Sequence, residues 1–184
     1  MSGREGAAAR IAAAVDVRGP STGKWRLAGT VAVVVLLLDQ LTKLAVTSFM
    51  ALHESIPVID GFFSLTYVRN TGAAFGLLAG QLASLRVAFF VAVSALAVVV
   101  LVWFLRGVPA SRRTVIVACG GVLGGALGNM VDRIAFGEVI DFADVYVGSY
   151  HWPAFNVADA AITLGVAVLC FDAVWGAASD EDRQ

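Results

Sequence analysis

The sequence predicts an all-α membrane protein, with four transmembrane helices, a small β-hairpin cradle on the outer side and both termini in the cytoplasm. Three observations carry that prediction. Hydrophobic residues make up 59% of the 184 positions and charged ones only 15%, a composition unlike that of a water-soluble domain. The apolar residues gather into four runs, at about 25–49, 84–106, 113–131 and 154–176, each near the ~20 residues that cross ~30 Å of hydrocarbon. Arg4, Arg10, Arg18, Lys24 and Arg26 surround the start of the first run, and Arg106, Arg112 and Arg113 bracket the join between the second and third. The positive-inside rule assigns those segments to the cytoplasm.

Residues 1–24 mix Ala, Gly and scattered charges, with Pro20 and Gly23 as helix breakers, and read as a mobile tail. The first run starts too late and runs too long for a cleavable signal, so it is expected to stay as a helix. Residues 25–176 then form one four-helix domain, with outer segments at about 50–83 and 132–153, and residues 177–184 form a second cytoplasmic tail. In the first outer segment, "IPVIDGFFSLTYV" sets two β-prone stretches around Asp60-Gly61, a dipeptide that favours a type I′ hairpin. Trp25 and Trp152 fall where interfacial aromatics are expected. No internal repeat is visible.

The net charge of -1 and the lack of a concentrated Lys/Arg face argue against nucleic-acid binding. Cys119 and Cys170 lie in apolar runs, where cysteine acts as a small hydrophobe, so no disulfide framework is expected.

Five stretches place polar residues where hydrocarbon would be easier. In "DQLTK", Asp39 and Lys43 are one helical turn apart and can pair, a structural ion pair that lowers the cost of both. In "VRNTGAAFG", Arg69 and Asn70 offer hydrogen bonds, while Gly72, Ala73 and Ala74 leave room for another backbone; a plain turn and an edge that receives an extended substrate are both open. "GGALGNMVDR" closes the third run. Its Gly124, Gly125, Ala126 and Gly128 permit close helix packing. Asn129, Asp132 and Arg133 crowd the membrane exit, either as substrate-binding groups or as a helix cap with a surface ion pair.

The last two stretches, "EVIDFADVY" and "FNVAD", present Asp141 and Asp159. With the fourth helix starting near Trp152, Asp159 lies roughly 10 Å along it, and the intervening segment is long enough to bring both carboxylates to the outer edge of the bundle. Two such groups in a low-dielectric site share a proton. The ionised member can then activate water while the protonated member polarises a carbonyl and protonates the leaving amine, with no metal or cofactor needed. His53-Glu54 lacks the second His of a zinc helix, because position 57 is Pro57. No G-x-S-x-G turn or phosphate-binding Gly-rich loop is present.

Taken together and in order, "DQLTK", "RNTGAAFG", "GNMVDR", "VIDF" and "FNVAD" resemble lipoprotein signal peptidase, or signal peptidase II, the bacterial intramembrane aspartyl peptidases. The resemblance covers about residues 25–176. It implies a four-helix enzyme of the bacterial cytoplasmic membrane with an extracytoplasmic active site and Asp141 and Asp159 as catalytic pair. It also implies a diacylglyceryl-modified prolipoprotein substrate, cut on the amino side of its lipidated cysteine. Asn70, Asn129, Arg133 and Asn156 match family positions that line the site, and Asp39 and Lys43 match a family motif whose role looks structural. Gly72 and Asp132 are read as supporting the site, and Gly72 and Gly76 as points where the outer segment flexes. The chain is expected to act as a monomer, since one copy can assemble the site. Two other readings are a proton-coupled carrier using Asp39, Asp132 and Asp159, and a non-catalytic assembly factor whose charges pair with a partner's helices.

Overall fold

The computed structural model describes residues 22–72 and 82–176. The tail over 1–21, the proposed flexing point at Gly76, the small residues Ala73 and Ala74 and the C-terminal tail at 177–184 lie outside the described residues. Among the described residues, four helices are long and apolar enough to cross a membrane: α1 (Thr22–Phe49), α2 (Ala83–Gly107), α3 (Arg113–Phe136) and α4 (Val157–Phe171), the last continued by a π-helical turn at Asp172–Gly176. Between them lie β1 (Ser55–Ile59), β2 (Phe63–Asn70), β3 (Val139–Val147) and β4 (Tyr150–His151).

Helix α3 is the centre of the bundle and packs against the other three. Its glycines explain why. A Cβ at Gly120 or Gly124 would meet the backbone of Ala28 or Ala32 on α1, and one at Gly125 would meet the Ala158 carbonyl on α4. The small-residue stripe therefore lets two neighbouring backbones approach one helix. By contrast α2 turns most of its apolar surface outward, as a lipid-facing span does.

Several boundaries differ from the sequence expectation. Thr22–Lys24 are already helical, so Lys24 belongs to α1; its buried ammonium donates to the carbonyls of Arg106 and Val108, which the end of α2 leaves unpaired. Helix α3 continues to Phe136 and stops at Gly137, whose φ of 76° supplies the left-handed cap. Helix α4 starts at Val157, not near Trp152. Residues before it run extended beside β3, with Trp152 N–H donating to the Val145 carbonyl and Phe155 N–H to that of Ala143. Pro153 contributes to this by biasing Trp152 away from helical geometry.

The cradle is larger than a hairpin. Its strands lie in the order β1-β2-β3-β4, each neighbouring pair antiparallel. The turn at Asp60-Gly61 is not type I′, which requires positive φ at both central residues. Only Gly61 has it (φ 76°), the sign pattern of a type II turn, closed by Phe62 N–H to the Ile59 carbonyl. Strand β3 fills the other side of β2, so Val68, Arg69 and Asn70 are already paired with Asp141, Ile140 and Val139. That edge is occupied by the protein's own chain and not free for an incoming strand. Tyr67, Ile140, Phe142 and Ala143 of the sheet form a buried cluster with Val46 of α1, which ties the cradle to the bundle.

Candidate active site

Strand β3 and helix α4 each deliver one carboxylate to the junction of sheet and bundle. Asp141 is 1% exposed within β3. Its Oδ2 accepts a hydrogen bond from Asn70 Nδ2 at 2.9 Å and its Oδ1 one from Asn156 Nδ2 at 2.7 Å. Asn70 can reach it because Val68 pairs directly with Asp141, placing Asn70 diagonally opposite on the same face. Asp159 occupies the third position of α4, inside a capping box. The Asn156 side chain accepts from Asp159 N–H at 2.8 Å, and Asp159 Oδ2 accepts from Asn156 N–H at 3.3 Å. Asp159 is thus in the first turn of its helix, shallower than the 10 Å expected from a start near Trp152.

Asn156 touches both carboxylates, its side-chain amide on Asp141 and its backbone N–H on Asp159. One residue brings them together. The third donor is Asn129 of α3, whose Nδ2 lies 2.7 Å from Asp159 Oδ1.

The orientation of each amide is dictated by what lies behind it. Asn70 Oδ1 accepts from Gly72 N–H at 2.8 Å, Asn156 Oδ1 from Asp159 N–H, and Asn129 Oδ1 from Lys43 Nζ at 3.1 Å. Backbone N–H groups and an ammonium can only donate, so each asparagine must turn its NH2 toward a carboxylate. Gly72 serves this through its backbone. Its φ of 80° suits glycine, and a side chain there would overlap the Phe90 ring.

Burial pushes the Asp141 carboxyl up to about 7. The negative charge of Asp159 adds to that effect, while the donors Asn70 and Asn156 and the charge of Lys43 oppose it. A cleft of about 240 Å³ opens onto Asp141 beside Arg69, Asn70, Thr71 and Pro153. Two larger cavities, about 500 and 540 Å³, lie at the opposite end of the bundle near Arg106 and Lys24, and neither is lined by Asp141 or Asp159.

A model of the family described as signal peptidase (SPase) II matches residues 31–175, a span holding both aspartates and all three asparagines. The chain belongs to the signal peptidase II family. A lipoprotein signal peptidase of Syntrophus aciditrophicus is 54% identical over 140 residues, covering 76% of this chain and 87% of that protein. One from Geobacter sulfurreducens is 48% identical over 150 residues, covering 82% and 92%. Among solved structures, a bacterial membrane enzyme determined by the in meso method at 2.3 Å superposes with a TM-score of 0.73 at 33% identity, over 83% of this chain and 90% of that one. Signal peptidase II membership and the structural match agree with a multi-pass membrane peptidase built on four spans and a small antiparallel sheet.

Asp132 and Arg133 do not form a surface ion pair with each other. Asp132 is 1% exposed and pairs with Lys43 at 2.8 Å, while Arg133 donates to the Asn129 carbonyl and lies over the Phe90 ring, 4.9 Å from its centroid. Asp39 and Lys43 are 2.7 Å apart and almost completely buried. Sequence reasoning missed Gln40, whose Nε2 reaches Asp132 Oδ1 at 2.9 Å and Asp39 Oδ2 at 3.2 Å. Its position within "DQLTK" was the available signal, but its partner lies 92 residues away.

Proposed function

We propose that the chain removes signal peptides from diacylglyceryl-modified prolipoproteins, cutting before the lipidated cysteine, with Asp141 and Asp159 as its catalytic pair. The observation that carries this reading is the gathering of both carboxylates on Asn156 at the edge of the bundle, with Asp141 lining a cleft. Near neutral pH the pair holds one proton. Asp141, held up to about 7, is the acid that polarises the scissile carbonyl. Asp159 takes a proton from the attacking water. The tetrahedral intermediate then collapses as the leaving amine is protonated, and the pair returns to its singly protonated form.

The same geometry supports an extracytoplasmic site. Lys24, Arg106, Arg112 and Arg113 mark one end of the bundle, the carboxylates lie at the other, and four spans return both termini to the basic, cytoplasmic side. At the outer interface the diacylglyceryl chains stay in the bilayer while the peptide reaches the cleft. One copy supplies both aspartates and all three asparagines, consistent with a monomer.

The test is a gel-shift cleavage assay in detergent with a prolipoprotein and the same substrate lacking its diacylglyceryl group. Cleavage confined to the lipidated form is expected. Equal cleavage of both would overturn the assigned substrate class.

A further inference from the structure

The buried charges behind the site are more numerous than an ion pair requires. Lys43 Nζ lies 2.7 Å from Asp39 Oδ2 and 2.8 Å from Asp132 Oδ2, with the three side chains 2%, 0% and 1% exposed. One carboxylate would neutralise this ammonium. A second leaves an excess negative charge at membrane depth, which costs free energy without further compensation.

The compensation lies in what each acid does with its other bonds. Asp39 Oδ1 accepts the backbone N–H of Ala158 at 2.9 Å, and Asp132 Oδ2 accepts the backbone N–H of Ile140 at 3.2 Å. Ala158 directly precedes Asp159, and Ile140 directly precedes Asp141. Each acid therefore holds the backbone one residue ahead of one member of the pair. Lys43 sits between the two holds and also fixes Asn129, the donor to Asp159. Gly128 makes the arrangement possible, because a Cβ there would come within 2.5 Å of Asp39 Oδ2.

We infer that Asp39, Lys43 and Asp132 are positioning residues that set the separation of the two catalytic carboxylates, an inference that rests on the pair assigned above. A mere staple between α1 and α3 has no reason to end on the residue before each of them. The dyad is faced by Asp39 and Lys43 from α1 and by Asp132 and Arg133 from α3. Arg69 of β2 turns instead to Tyr67 and Glu138.

The test uses Asp39→Glu and Asp132→Glu, which keep the charge on Lys43 but lengthen the arm that holds α4 or β3. Displacements near 1 Å can cost ~10²-fold in rate. In folded protein, kcat is expected to fall about 10²-fold with KM within about threefold of wild type. The separation of the two limbs of the pH profile should also change, because the interaction between the two carboxylates depends on their distance. Asp39→Asn and Asp132→Asn keep the shape and an acceptor but weaken the hold of Lys43, so a smaller loss, about tenfold, is expected at unchanged KM. Wild-type kcat and wild-type limbs in the folded variants would overturn the inference, as would loss of the fold in all four, which would make these residues structural only. Asp141→Asn runs alongside. If it stays active the dyad itself fails, whereas an inactive Asp141→Asn beside fully active Glu variants defeats only the positioning role.

Discussion

Asp141→Asn and Asp159→Asn are each expected to lower kcat by ~10⁴-fold, since each removes one half of an acid–base pair that has no substitute nearby. The geometry specifies why the fold should survive. Asn at 159 keeps an acceptor for the Asn156 or Asn129 donor, and the capping contact to the Asn156 side-chain oxygen is made by the backbone N–H of residue 159, which substitution leaves alone. Asn at 141 retains the shape that fills the space between Asn70 and Asn156. The measurement is single-turnover cleavage of a diacylglyceryl-prolipoprotein by purified, monodisperse variants. Substantial cleavage by either one removes that residue from the mechanism.

The second expectation concerns stability. Asp141 has its folded-state carboxyl raised from 3.8 to about 7, chiefly by burial. A raised carboxyl binds its proton more tightly in the folded state than in the unfolded one. Its contribution is therefore fully present below about pH 4 and is lost as pH rises to about 7. At 1.36 kcal/mol per unit, the loss is of order a few kcal/mol. Wild-type protein should accordingly show a downward trend in melting temperature over that window that Asp141→Asn lacks. The difference between the two proteins is the quantity to follow, because the other carboxylates titrate in both. Parallel curves from pH 4 to 8 would mean that Asp141 is not held in its protonated form by the fold.

The parts of this protein legible in the sequence are those that depend on local pattern or on the membrane. Four apolar runs of the right length needed only the thickness of hydrocarbon, and the glycine stripe of α3 announced close packing. Asp39 and Lys43 are one turn apart, so their pairing follows from helix geometry alone. Long-range partners were not legible. Nothing local says that Asp132 turns to Lys43 and not to its neighbour Arg133, or that β3 pairs with β2. The start of α4 is not legible because "HWPAF" is apolar enough to continue a span, yet its backbone is engaged with β3. The true start matters for the site. With the cap at Asn156 instead of near Trp152, Asp159 becomes part of a capping box, and the side chain that completes the box is the one that reaches Asp141.

The carrier and assembly-factor readings lose ground for a related reason. Asp39 and Asp132 are locked onto one ammonium and onto backbone N–H groups, a poor arrangement for relaying protons across the membrane. Signal peptidase II membership makes the chain a peptidase.

The most direct test of the shared-proton mechanism is the pH dependence of kcat/KM for wild-type protein on a lipidated prolipoprotein, under conditions where chemistry limits the rate. A bell is expected, its alkaline limb near pH 7 as the pair loses its one proton, and its acid limb where both members become protonated and no base remains. A profile that stays flat from pH 4 to 9 would contradict the account, because no pair of carboxylates sharing a proton can be indifferent to losing it.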